Sequence, residues 1–183
     1  MNDPLYLAAD LARRFEGLRL QPYVCPAGYW TIGYGNRALA DGTAVGPHTK
    51  AITETDANEM LMATMASLQE KLRNMIIVPL SAGKEAALLD FQFNLGTEAL
   101  RGSTLRKLLN AALYVQAGAQ LKLWNHIHKD GHLVASPGLT ARRKAEWLLW
   151  SGAKVADALS EAPPPNPTDR LNAAELGRLK ESS

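Results

Sequence analysis

The chain has 183 residues, 46% of them apolar and 21% charged, enough for one domain with a sizeable core and too mixed in composition to be fibrous or wholly disordered. Twenty Lys and Arg against eighteen Asp and Glu leave a formal charge of +2, which makes no case for nucleic-acid binding by bulk electrostatics. A single cysteine, Cys25, excludes an intramolecular disulfide.

The first ten residues carry Asp3 and Asp10 where a secretory leader would be basic, so no signal peptide is expected. No uninterrupted apolar run approaches the roughly 18 residues of a membrane span, so the chain is expected to be made in the cytoplasm without stable membrane insertion. Asp3-Pro4 reads as an N-cap and first-turn proline, and Leu5, Ala8, Leu11, Ala12 and Phe15 then recur at helical spacing until Gly17. Between Leu20 and Val45 short β-prone pieces alternate with Pro26-Ala27-Gly28, Gly33, Gly35 and Asp41-Gly42, which predicts a small antiparallel sheet.

Thr53-x-x-Asp56 has the form of a capping box, and Leu61, Met65, Leu68, Leu72 and Met75 follow it at spacings of 4, 3, 4 and 3, a helix long enough to bridge two lobes. Ser81 opens a further helix with Ala82, Ala86, Leu89 and Phe93 on one face and Gly96 as its stop. Ser103 opens the next, with Leu105, Leu108, Leu109 and Ala112; Val115–Trp124 follows, and Ser136-Pro137 starts a last helix reaching Trp150. Glu161 to Thr168 holds four of the ten prolines and reads as a stiff linker, so residues 1–150 are expected to form the folded domain and 151–183 a linker and tail. Residues 101–150 carry eight Lys or Arg against two Asp or Glu, which suggests an anionic polymer as partner; a solvated helical surface would look the same.

Chemistry concentrates near the first helix. Glu16 would sit at the negative end of its dipole beside Phe15 and Leu18, influences that disfavour the ionised form and suit a general acid. Cys25 and Thr31 flank five residues and, in a hairpin, would lie roughly opposite each other at the mouth of the turn. Singly, each has a plain structural explanation: surface charge, small buried hydrophobe, strand residue. Together, Glu16, eight residues, Cys25, five residues and Thr31, with Glu16-Gly17-Leu18, Pro22-Tyr23 and Thr31-Ile32-Gly33-Tyr34-Gly35 around them, resemble the phage-type lysozymes, endolysins that cleave peptidoglycan. The likeness extends through Ala87–Gly96, Ser103–Leu108 and Gly138-Leu-x-x-Arg142-Arg143-x-x-Glu146-x-x-Leu149-Trp150, covering residues 3–150. Asn36 stands where the family usually has His, so the ion pair made there in the family is not expected.

The resemblance implies an α+β, lysozyme-like fold: a small N-terminal β-hairpin lobe and a larger helical C-terminal lobe joined by a long helix, with a cleft between them. It implies a muramidase that hydrolyses the β-1,4 bond between N-acetylmuramic acid and N-acetylglucosamine. Glu16 would be the general acid, Cys25 the base or nucleophile on the other side of the sugar, and Thr31 the residue that orients water. Phe93 and Thr104 match substrate-contacting positions, and one of Arg142 and Arg143 would orient Glu16. Neither cofactor nor metal is implied. The expected partner is bacterial peptidoglycan, the expected state a monomer, and the expected location the host cytoplasm until a holin opens the inner membrane and gives access to the periplasmic wall.

Other readings are weaker. His126, His128 and His132 suggest a metal site of the zinc-amidase kind, but the span reads as a loop and lacks any regular ligand spacing. Cys25 with one of these histidines would make a Cys/His amidase, without a flanking signature. A lytic transglycosylase would use one acid and form an anhydro sugar without water, which the Cys25–Thr31 pair argues against. A non-catalytic wall-binding module would have no reason to keep the three residues together.

Overall fold

A computed structural model describes residues 3–25, 28–129 and 131–160. The expected turn residues Pro26 and Ala27 and the Pro-rich linker and tail lie outside them. The elements run α1 (Pro4–Glu16), β1 (Arg19–Val24), β2 (Trp30–Gly33), α2 (Glu54–Arg73), α3 (Ala82–Leu95), α4 (Thr97–Gly102), α5 (Thr104–Asn110), α6 (Tyr114–Leu121), β3 (His126–Lys129), β4 (His132–Ala135), α7 (Pro137–Trp150) and α8 (Val155–Ser160). This is the expected α+β arrangement, a small N-terminal hairpin followed by a helix-rich region.

The Asp3 side chain accepts the Leu5 N–H at 2.9 Å and caps α1, with Pro4 in its first turn. Gly17 ends the helix at φ 63° and ψ 157°, a conformation a Cβ disfavours, and turns the chain out of α1 towards β1. The hairpin register differs from expectation. Thr31 faces Tyr23, Val24 faces Trp30, and Cys25 gives its backbone N–H to the Tyr29 carbonyl at 2.8 Å. The register shifts between Arg19 and Tyr23, where Pro22 has no N–H to contribute to a ladder. Cys25 is therefore a diagonal neighbour of Thr31 rather than its partner, and the alternation of side chains leaves both on one face.

Thr53 caps α2 reciprocally: its hydroxyl accepts the Asp56 N–H, and the Asp56 carboxylate accepts the Thr53 N–H at 2.8 Å. The helix has 20 residues, about 30 Å, and joins two cores. Met60 belongs to a small cluster with Ile32 and Val45 under the hairpin, whereas Ala57, Leu61, Met65 and Leu72 belong to the main core. α1 packs on that main core, against α3 and α7, so Glu16 is carried by the helical body and Cys25 and Thr31 by the hairpin.

α3 is the central helix, with every residue from Ala86 to Gln92 buried. At Gly83 a Cβ would stand 2.3 Å from the Leu149 carbonyl oxygen, so α3 and α7 approach at backbone distance. Three features depart from the expected elements. Residues 126–135, read as a loop, form the β3–β4 hairpin, with His128 opposite Leu133 and Lys129 opposite His132. Residues 97–102 form the short α4, and Ala112, expected to continue the fifth helix, lies beyond its end at φ 60°. Packing also runs past Trp150: α8 lies against α1 and α7, with Ala158 fully buried. No helix among the described residues is long and apolar enough to cross a membrane.

Candidate active site

A cleft of about 490 Å³ lies between the hairpin, α1, α2 and α3, and Glu16, Cys25, Thr31 and Phe93 all line it. Thr104 does not; it is exposed at the first residue of α5, away from this lining. The cleft also takes Tyr23, Arg37, Gln92 and Asn94.

Glu16 is the last residue of α1, and its side chain keeps 23% of its exposure. The helix end and apolar neighbours are only part of its surroundings, because Arg142 of α7 gives an Nη1 proton to Glu16 Oε1 at 2.5 Å. The rest of that guanidinium is held by Asp90: Nε donates to Oδ2 at 2.8 Å and Nη2 to Oδ1 at 2.7 Å. This bidentate fork fixes the guanidinium plane and leaves Nη1 aimed at Glu16. Phe15 and Phe93 lie over the guanidinium at 5.4 and 5.9 Å. Burial works against the Arg142 charge, but Asp90 and then Glu16 outweigh it and hold its pKa above the usual arginine range. Of the two candidate arginines, Arg142 is the one that meets the acid.

Arg143 points the other way, donating to Asn94 at 3.0 Å and to Glu146. Both members of that pair are buried, and the Asp90 carboxylate is near enough to act on Glu146. Burial, reinforced by the Asp90 charge, pushes the Glu146 carboxyl well above the ordinary glutamate range despite Arg143. With Arg142 and Arg143 buried, two of the eight cations counted in residues 101–150 are structural rather than available to an anionic polymer.

On the hairpin side, Thr31 is 4% exposed and donates its hydroxyl proton to the Tyr29 carbonyl at 2.9 Å. Its remaining hydrogen-bonding capacity is as an acceptor, so a water bound there donates a hydrogen bond to Thr31 and turns a lone pair elsewhere. Cys25 is half-buried. Asn36, in the place of the family His, gives an Nδ2 proton to the Thr64 hydroxyl of α2 at 3.3 Å, tying hairpin region to helix by a neutral bond. His126, His128 and His132 are exposed on the β3–β4 hairpin, and no group of three or more His, Cys, Asp or Glu among the described residues is placed to hold a metal ion.

Asp90 and Arg37 had not been singled out. An acid at the centre of the apolar run Leu88-Leu89-Asp90-Phe91 is a signal of a buried charge partner, and the adjacent arginines of the closing motif are where that partner is found.

The phage lysozyme family model matches residues 13–146. An endolysin of Acyrthosiphon pisum secondary endosymbiont phage 1 is 36% identical over 146 residues, which is 78% of this chain and 94% of the relative. Among solved structures, the endolysin of Escherichia coli O157:H7 phage FAHEc1 superposes with a TM-score of 0.72 at 31% identity, covering 81% of this chain and 94% of that one. The muramidase domain of SpmX from Asticaccaulis excentricus gives 0.69 at 28% identity, covering 78% and 93%.

Proposed function

The chain belongs to the phage lysozyme family and is a glycoside hydrolase, an endolysin acting on peptidoglycan, and on that premise we propose how its residues divide the work. Glu16 protonates the oxygen of the β-1,4 bond between N-acetylmuramic acid and N-acetylglucosamine. Cys25 acts from the opposite wall, by taking a proton from water or by attacking the anomeric carbon. Thr31 accepts a hydrogen bond from the attacking water and so directs its lone pair. Arg142 is a positioning residue for Glu16, and Asp90 for Arg142. No metal or organic cofactor is required for these steps.

The observation that carries this reading is that two parts of the fold, α1 packed on α7 and the β1–β2 hairpin, bring Glu16 and the Cys25–Thr31 pair into the lining of one cleft. Mass spectrometry of digested peptidoglycan tests it. Reducing muramic ends are expected; 1,6-anhydro ends would mean a transglycosylase, and intact chains a binding module. We further infer that the protein acts as a monomer and that its release to the wall depends on a holin. Expression without a holin should then leave the protein on the cytoplasmic side of intact cells, and spontaneous lysis would overturn that dependence.

A further inference from the structure

Among the described residues lining the cleft, two carry an ordinary charge, Glu16 and Arg37. Glu16 is engaged by Arg142, whereas the exposed Arg37 guanidinium has no carboxylate partner among the described residues. It is nevertheless not loose. The guanidinium lies 3.8 Å from the centroid of the Tyr29 ring, on the far arm of the β1–β2 turn, a stack that restricts the side chain while leaving its N–H edge open. The Arg37 backbone is pinned too, its carbonyl accepting the Val45 N–H at 2.8 Å. A neighbouring depression shares Asn36, Thr64 and Leu68 with the cleft, so the groove continues past this lip along α2.

A glycan backbone of neutral sugars offers no counter-charge to a cation held in this way. The peptides that branch from muramic acid do, because they carry free carboxylates. Resting on the peptidoglycan reading above, we propose that Arg37, ordered by Tyr29, is a specificity-determining residue that binds a peptide-stem carboxylate of the substrate where the branch leaves the cleft. A planar fork suits bidentate capture of a carboxylate, and the stack lowers the entropy lost on capture.

The test separates binding from cleavage. Glu16→Gln protein is titrated with soluble glycan–peptide fragments, native or with their carboxylates amidated by carbodiimide coupling, with and without Arg37→Gln. Arg37→Gln should raise Kd for the native fragments roughly three- to fivefold, the worth of a solvent-exposed ion pair. Amidation should raise Kd by the same factor with Arg37 present and add nothing in its absence. Tyr29→Ala should give part of the loss and Tyr29→Phe, which keeps the ring, should not. Equal losses from Arg37→Gln on native and amidated fragments, or none on native ones, would overturn the proposal. Reducing-end release by the unmodified protein is scored separately, so failure of the muramidase reading and failure of this one give different results.

Discussion

A thiolate at position 25 and an aspartate in its place differ in acidity and by one bond in reach, but either can serve as base or nucleophile. If the thiol works opposite Glu16, Cys25→Asp should keep substantial activity. Cys25→Ala should lose about 10²- to 10⁴-fold in kcat, the usual worth of a positioned base, with an unchanged melting curve because the site is only half-buried. Turbidity clearing of peptidoglycan and circular dichroism check the two halves, and full activity in folded Cys25→Ala would make the cysteine mere packing. Arg142→Lys tests positioning: an ammonium keeps the charge but cannot fork onto Asp90 and reach Glu16 together. A fall of about 10²-fold in kcat with little change in KM is expected, as for a displacement near 1 Å of the acid. At this scale the grouping of Glu16, Cys25 and Thr31 on one cleft was legible because their residue types and spacings lie within sixteen consecutive residues. The role of Asp90 was not, since the apolar run around it signals a buried partner but nothing local says that the partner is Arg142, 52 positions away.

Elements whose signals are local matched their expected bounds closely: the Asp3-Pro4 start and Gly17 stop of α1, the Thr53–Asp56 box of α2, and the Ser136-Pro137 start of α7. Amphipathic spacing was a poorer guide to α3, because neighbours on several sides bury it all round rather than along one stripe. The β3–β4 hairpin is hidden in the sequence because three exposed histidines and a central Gly131 obscure its alternation, and among its described side chains Ile127 alone is buried. The α3–α7 approach makes a prediction of its own. Gly83→Ala puts a methyl 2.3 Å from a carbonyl oxygen of the backbone, which cannot rotate away, and should destabilise by about 1–3 kcal/mol. Gly102→Ala, in α4 with nothing within 4 Å of the added carbon, should be neutral or slightly stabilising. Paired thermal melts decide it, and equal effects at the two sites would refute the close-packing explanation.

For the whole molecule, two properties follow from how the helical body closes. α8 extends the packed unit, with Ala158 buried and Val155 and Leu159 against the main core. A chain ending at residue 160 should keep activity and stability, whereas one ending at residue 150 should lose about 2–4 kcal/mol by denaturant titration, the worth of two partly buried aliphatic side chains and a small one. The second property concerns pH. Asp90 and Glu146 lie buried beside Arg142 and Arg143, and burial together with the Asp90 charge favours the protonated form of Glu146 despite Arg143. An acid whose pKa is raised by folding stabilises fully below its unfolded value, near 4.5, and loses that contribution as pH rises through the folded value. Unfolding free energy of the natural protein should therefore decline above about pH 4.5, by up to roughly 1.4 kcal/mol per unit from this group. Glu146→Gln carries the same shape and a permanent donor towards Asp90 without a titrating proton. Its stability relative to the natural chain should rise across that window and level off once Glu146 has ionised. A difference between the two proteins that stays constant with pH would show that folding does not raise the Glu146 carboxyl above its ordinary range.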